Sequence, residues 1–263
     1  MLITPQVHIV EGITRPSEGW KYDRPNPERL NSTFRFHHQR YSIYFPAVII
    51  ENGSLAFFDA GTPQSMPCIR RSVESLGFEI GDLKSIIISH AHVDHIGELK
   101  HLVEMSGAKI HAHDAEIPYL LKQKQQECDA REFESTAIDV ALKDGDTLDL
   151  LGGLKVIHTP GHTPGHLALY AEKQKTLFAA DLIRHSRGEF HLPPPEYSVD
   201  YAMLVASLVK VSQYDFDKLV LYHGEPILQD ADKRLREFVA YLKAMSDIFL
   251  PSIKDALAPE MEG

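Results

Sequence analysis

Ser85-Ile86-Ile87-Ile88-Ser89-His90-Ala91-His92-Val93-Asp94-His95-Ile96 sets a β-branched run directly against three imidazoles and a carboxylate. Residues 85 to 89 read as a short strand buried on both faces, because the run lacks polar alternation. Ile96, Leu99, Leu102 and Val103 then recur at helical spacing, and Gly107 suits the position that closes a helix. The histidine segment therefore lies on a strand-to-helix loop. Residues two apart on extended backbone point the same way, so His90 and His92 can converge on one ion. The turn into the helix redirects Asp94 and His95 toward a second. Neutral imidazole and carboxylate suit zinc, iron or manganese. The competing reading is a chance polar loop, which is disfavoured because burying so many polar groups costs several kcal/mol unless something satisfies them.

Outward from this segment, residues 3 to 10 and 43 to 50 have strand character, and Glu51-Asn52-Gly53 reads as a turn into Leu55 to Phe58, a hairpin. Between them, residues 15 to 40 are rich in Pro, Asn and charge yet carry Trp20, Tyr22, Phe34 and Phe36. They read as a loop folded over a pocket or anchored on the surface. From about Met66, Ile69, Val73 and Leu76 recur at helical spacing, ending at Gly77. Lys109 to Ala112 reads as a strand and Ala115 to Glu127 as a polar helix, while 128 to 140 give no clear pattern. Asp144-Gly145-Asp146 and Gly152-Gly153 read as turns around short strands, and strands follow at 154 to 158, 167 to 171 and 176 to 180, an antiparallel meander. Leu219 to Tyr222 is another strand. Asp230 to Phe249 sets Leu235, Phe238, Val239, Leu242 and Met245 on one helical face. Residues 251 to 263 read as a loose tail. Mixed strands and helices predict an α/β or α+β layered domain, taken as one domain over 1 to 263.

The composition is that of a globular protein, with 43% hydrophobic and 24% charged residues. Thirty-seven acidic against 27 basic side chains give a formal charge of -10, which offers phosphate backbones and anionic lipids no general attraction. No nucleic-acid partner is expected. Cys68 and Cys128 are far apart, so neither a disulfide framework nor a thiolate zinc site is indicated. No stretch approaches the ~20 apolar residues of a membrane span and Met1 to Val10 lacks a leader pattern, so no membrane association is expected and the cytoplasm is the expected compartment.

Three further residues stand at strand ends: His162 in the turn Thr159-Pro160-Gly161-His162, Asp181 after residues 176 to 180, and His223 after 219 to 222. The doubling of that turn as Thr163-Pro164-Gly165-His166 reads as local turn chemistry. In order along nearly the whole chain, His-x-His-x-Asp-His, Gly-His, Asp and His resemble the pattern of the metallo-β-lactamase superfamily. Phe57-Phe58-Asp59-Ala60-Gly61 resembles that family's early Asp-x-Gly motif, in which the Asp supports the metal site from behind. The resemblance implies a four-layer αββα sandwich. It also implies that His90, His92 and His162 bind one divalent ion, that Asp94, His95 and His223 bind another, and that Asp181 bridges them. Zn2+ is the first expectation, with Fe or Mn as alternatives. A hydroxide between the ions would be the nucleophile, and Asp94 would also orient it or carry a proton.

His166 is expected to support the site and not to bind metal. Arg184 and Tyr197, in the proline-rich stretch 184 to 200, are candidates for contacting substrate. His37, His38, His111, His113, His185 and His191 read as surface or turn histidines. Departures from the family's branches narrow the reaction. Asp181 argues against antibiotic hydrolysis, His92 in place of Glu argues against the flavin-linked di-iron reductases, and Arg184 stands where similar lactonases often carry Tyr. No glutathione-binding C-terminal region is evident. The expected function is hydrolysis of a small ester, lactone or thioester by a binuclear metal centre, with a homodimer compatible with the sequence. The alternatives are a phosphodiesterase of the same fold, a mononuclear iron oxygenase resembling persulfide dioxygenases, and a non-enzymatic metal-binding module.

Overall fold

A computed structural model describes residues 1–10, 13–14, 43–44, 46–125 and 133–249. The stretch 15 to 40, including His37 and His38, and the tail 251 to 263 both lie entirely outside the described residues. A seven-stranded sheet contains β1 (Leu2–Thr4), β2 (Val7–Ile9), β5 (Ala47–Glu51), β6 (Ser54–Phe58), β7 (Leu83–Ile88), β8 (Lys109–His113) and β9 (Val140–Leu142), in that spatial order. Its first four strands pair antiparallel and β6 to β9 pair parallel. A short ribbon joins β3 (Ile13–Thr14) to β4 (Ile43–Tyr44). The second sheet runs β10 (Thr147–Leu148), β11 (Leu154–His158), β12 (Leu167–Ala171), β13 (Thr176–Ala180) and β16 (Lys218–Leu221). It is an antiparallel meander except for the parallel pair β13 and β16.

Alternation along the buried strands builds the layers. Phe57, Ile86 and Ile88 face α1 (Met66–Ser75) and α3 (Leu99–Ser106), meeting Ile69, Val73, Leu99 and Leu102. Their neighbours Phe58 and Ile87 face the other way, onto Leu167, Leu169, Phe178 and Val220 of the second sheet. There Phe58 meets Phe178 edge-on with centroids 6.1 Å apart, a contact worth about 0.5–1.5 kcal/mol beyond its buried area. On the far side of the second sheet, Ala168, Leu177 and Leu219 pack on Leu204 and Leu208 of α5 (Tyr201–Val211) and on Leu235 and Val239 of α6 (Ala231–Phe249). This is the αββα sandwich. Strands buried on both faces carry no polar alternation, which is why the apolar run at β7 was legible.

Several expectations need correcting. Residues 3 to 10 form two short strands with a turn, because Thr4 pairs back onto Val7. The expected strand 43 to 50 is split into β4 and β5. In place of a helix over Ala115 to Glu127, the described residues hold the single turn α4 (Ile117–Leu120), which Lys122 ends by adopting a positive φ. The helix after the histidine segment is interrupted between α2 (Val93–Ile96) and α3 by the bond from Gly97 N–H to Gly61 O. The stretch 184 to 200 carries the hairpin β14 (Arg184–Ser186) and β15 (Glu189–His191). Helix α5 was not anticipated, although Asp200 is a plain N-cap, its carboxylate accepting from Met203 N–H at 2.8 Å. No helix among the described residues is long and apolar enough to cross a membrane.

Candidate metal centre

Parallel strands share a direction, so their carboxyl ends meet at one edge, where ligands bind in open α/β sheets. Asp59 follows β6, Ser89 to His95 follow β7, Asp181 follows β13 and Tyr222-His223 follow β16. The turn joining β11 to β12 brings His162 and is closed by Thr159 N–H to His166 O at 2.8 Å. Leu167 N–H donates to Ser89 O at 3.0 Å, fastening the second sheet to the end of β7. Asp59 and Ala180, each beside the site, are non-glycine residues at positive φ, 67° and 45°. Such conformations cost on the order of 1–3 kcal/mol and cluster where function constrains the backbone.

The sequence candidates converge. His90, His92, His95, His162, Asp94, Asp181 and His223 are all buried. Their ligand atoms form three overlapping groups, His90 with His92 and His162, His90 with His95 and Asp181, and Asp94 with His95 and His223, each within 4.8 Å. His90 Nε2 is 3.0 Å from His92 Nδ1. Asp181 Oδ1 is 3.3 Å from His95 Nε2, and its Oδ2 is 3.0 Å from His223 Nε2 and 3.6 Å from His162 Nε2. His223 Nε2 is also 3.5 Å from Asp94 Oδ2.

Outer partners fix these rings. Asp59 Oδ1 accepts from Ser89 N–H and its Oδ2 from Ser89 Oγ, both at 2.8 Å. His95 Nδ1 also reaches Asp59 Oδ2 at 2.8 Å, and Ser89 Oγ lies 2.9 Å from His90 Nδ1. His162 Nδ1 lies 3.2 Å from Ser198 Oγ. With Nδ1 engaged, Nε2 of His90, His95 and His162 is left to face the cluster. Tyr222 stacks on His95 with centroids 3.7 Å apart and donates its hydroxyl to Asp94 O.

The electrostatics divide the site. Burial, together with the neighbouring His95, His92, His162 and His166, pushes His90 well below the usual imidazole range, and burial with His92 does the same to His162. His95 behaves oppositely. Burial disfavours its charge, but Asp59 and Asp181 outweigh this and raise it to about 10. Burial would raise Asp94 and Asp181, but His223 and His95 hold both carboxyls far below their ordinary range.

This donor set fits a divalent cation. His95 Nε2, His162 Nε2 and Asp181 Oδ1 are buried without a hydrogen-bond partner, a costly arrangement that a cation resolves. Donors bound to one zinc at ~2.1 Å lie at most about 4.2 Å apart, so groups within 4.8 Å close round an ion with small shifts.

His166 is fully buried, with Nδ1 2.8 Å from Thr159 Oγ1 and its ring 5.2 Å from that of His90, and it joins none of the three groups. Arg184 is half-buried on β14, its Nε enclosed without a hydrogen-bond partner. Tyr197 is exposed at the end of a 3-10 turn, Pro195–Tyr197. His113 and His185 are buried and not surface residues, because His113 stacks on His158 at 3.9 Å and His185 Nδ1 binds Glu225 O at 2.9 Å. Ser89, Glu116, Thr159, Ser198 and Tyr222 were missed. Their position beside a ligand was a signal only for Ser89 and Tyr222.

Comparison with known proteins agrees with this geometry. The model of the metallo-beta-lactamase superfamily matches residues 46–223. A Bacillus subtilis protein described as "Probable metallo-hydrolase YflN" is 27% identical over 214 residues, 71% of this chain and 81% of that protein. The hydroxyacylglutathione hydrolase GloC of Haemophilus influenzae is 27% identical over 168 residues, 60% of this chain and 76% of its own length. Among solved structures, a metallo-beta-lactamase family protein of Thermus thermophilus superposes with a TM-score of 0.67 at 19% identity, covering 94% of this chain and 82% of that one. A subclass B3 metallo-beta-lactamase of Bradyrhizobium japonicum gives 0.60 at 22% identity, covering 83% and 93%. These two likenesses concern the fold.

Proposed function

The chain belongs to the metallo-beta-lactamase superfamily and is a metal-dependent hydrolase, and from that premise we propose that it works with two divalent ions, zinc before iron or manganese, on a small ester, lactone or thioester. His90, His92 and His162 hold one ion and Asp94, His95 and His223 the other, with Asp181 between them. The observation that carries this reading is the reach of Asp181, whose two oxygens approach His95, His162 and His223 within 3.0 to 3.6 Å. One carboxylate serving both sets of nitrogens is what a shared centre requires.

The ions, when bound, supply Lewis acidity for the substrate's carbonyl and lower the pKa of water toward neutrality. The chain's own groups do the rest. Asp59 and Ser89 hold His95 and His90 in the tautomers that direct Nε2 inward. Asp94 offers a carboxylate, kept ionised by His223 and His95, that can accept a hydrogen bond from an attacking water and so orient it. Arg184, with an enclosed Nε that has no partner, and the exposed Tyr197 are assigned to binding the substrate's polar and apolar parts.

The hydroxyacylglutathione hydrolases among the relatives support an acyl substrate. A panel of ester, lactone, thioester and phosphodiester substrates, with and without chelator, tests the reading. Chelator-sensitive turnover of an acyl compound is expected. Turnover of phosphodiesters alone, or oxygen consumption by a protein holding one iron, would overturn it.

A further inference from the structure

Glu116 is a carboxylate without solvent exposure that joins none of the candidate ligand groups. It follows β8 and begins the single turn α4. Its Oε1 accepts from Ala91 N–H at 2.8 Å, the amide between His90 and His92. Its Oε2 accepts from Thr163 Oγ1 at 2.9 Å and from Gly165 N–H at 2.7 Å, just beyond His162. One buried carboxyl group thus bolts together the two loops that carry His90, His92 and His162. Gly165 is small for this reason, since a Cβ there would stand 2.3 Å from Glu116 N and 2.5 Å from Glu116 Cβ.

We propose that Glu116 is a positioning residue that sets the metal affinity of the His90, His92 and His162 site selectively. Asp59 holds His95 directly and reaches His90 only through the Ser89 hydroxyl, whereas Glu116 alone ties the loop of His90 and His92 to the loop of His162. The bonds to Glu116 come from two amides and a hydroxyl of buried residues, so they fix the spacing of the two loops before any ion arrives. The inference rests on assigning those three histidines to one ion.

The test is a competition titration of Zn2+ against a chromophoric chelator, for wild type, Glu116→Gln, Thr163→Val and His162→Ala, with melting of each metal-free protein alongside. Glu116→Gln keeps the shape and can still accept from Ala91, but turns an amide toward Gly165 N–H. It should weaken one ion about 10–100-fold, as loss of a supporting partner does, and leave the second unchanged. Thr163→Val should weaken the same ion by less. In a His162→Ala background, Glu116→Gln should add nothing to the loss. Wild-type affinity for both ions in Glu116→Gln, or equal weakening of both, would overturn the proposal. If Glu116→Gln does not fold, Thr163→Val decides by the same criterion. A wild type that holds one ion would instead overturn the two-ion reading, and Glu116 would then stand only if Glu116→Gln weakens that ion.

Discussion

His95 Nδ1 sits 2.8 Å from Asp59 Oδ2 with both side chains wholly buried, and the same carboxylate takes two bonds from Ser89. The end of one parallel strand thereby orients the histidine delivered by the next. Asp59→Asn should leave the sandwich folded and weaken metal binding about 10–100-fold, chiefly for the ion assigned to Asp94, His95 and His223. Chelator competition reads this directly, and unchanged affinity for both ions would contradict the assigned role.

Asp181→Asn keeps the size of the side chain and removes the charge set between His95, His162 and His223. Turnover should fall by ~100-fold or more, the scale of losing one element of charge stabilisation in a reaction site, together with at least one ion. Wild-type stoichiometry and rate in this variant would remove Asp181 from the centre.

His166→Ala should retain both ions. Its Nδ1 is committed to Thr159 Oγ1 and it stands outside the ligand groups, so its loss should appear in stability, by about 0.5–1.5 kcal/mol for the hydrogen bond removed. Elemental analysis showing a lost ion would place His166 among the ligands.

For protein stripped of metal, stability should peak near pH 6.5. His90 and His162 sit below the ordinary imidazole value and His166 at about 3. All three stay neutral in the fold while their unfolded counterparts take up protons, so stability is full above pH 6.5 and is lost as pH falls, by about 1.4 kcal/mol per pH unit for each such histidine. His95, raised to about 10, contributes stability that is full below 6.5 and is lost as pH rises toward 10. Thermal melts across pH 4 to 10 check both arms, and a flat profile below 6.5 would show that these histidines are charged in the fold.

The fold and the candidate ligand set were readable to different depths. The end of β7 and strands β12 and β13 could be placed because they are buried on both faces, β11 because it follows the Gly152-Gly153 turn, and the histidine segment because its composition is rare. Helix α5 was hidden by proximity to the proline-rich stretch, although Asp200 and the spacing of Leu204, Leu208 and Val211 carried the signal. Glu116 had no local signal at all. In His113-Asp114-Ala115-Glu116 two acids stand two positions apart, and only the packing of the Gly165 turn against α4 decides that Glu116 is buried while Asp114 is not. Spacing shows which residues can reach an ion and a motif marked Asp59 behind them, but Glu116 is chosen by tertiary contact alone.

Metal content of the purified protein, saturated with Zn2+ and freed of loosely held ions, tests the two-ion centre most directly. Two ions per chain are predicted, with hydrolysis lost on their removal and restored on their return. One ion per chain at saturation, with hydrolysis intact, would contradict it.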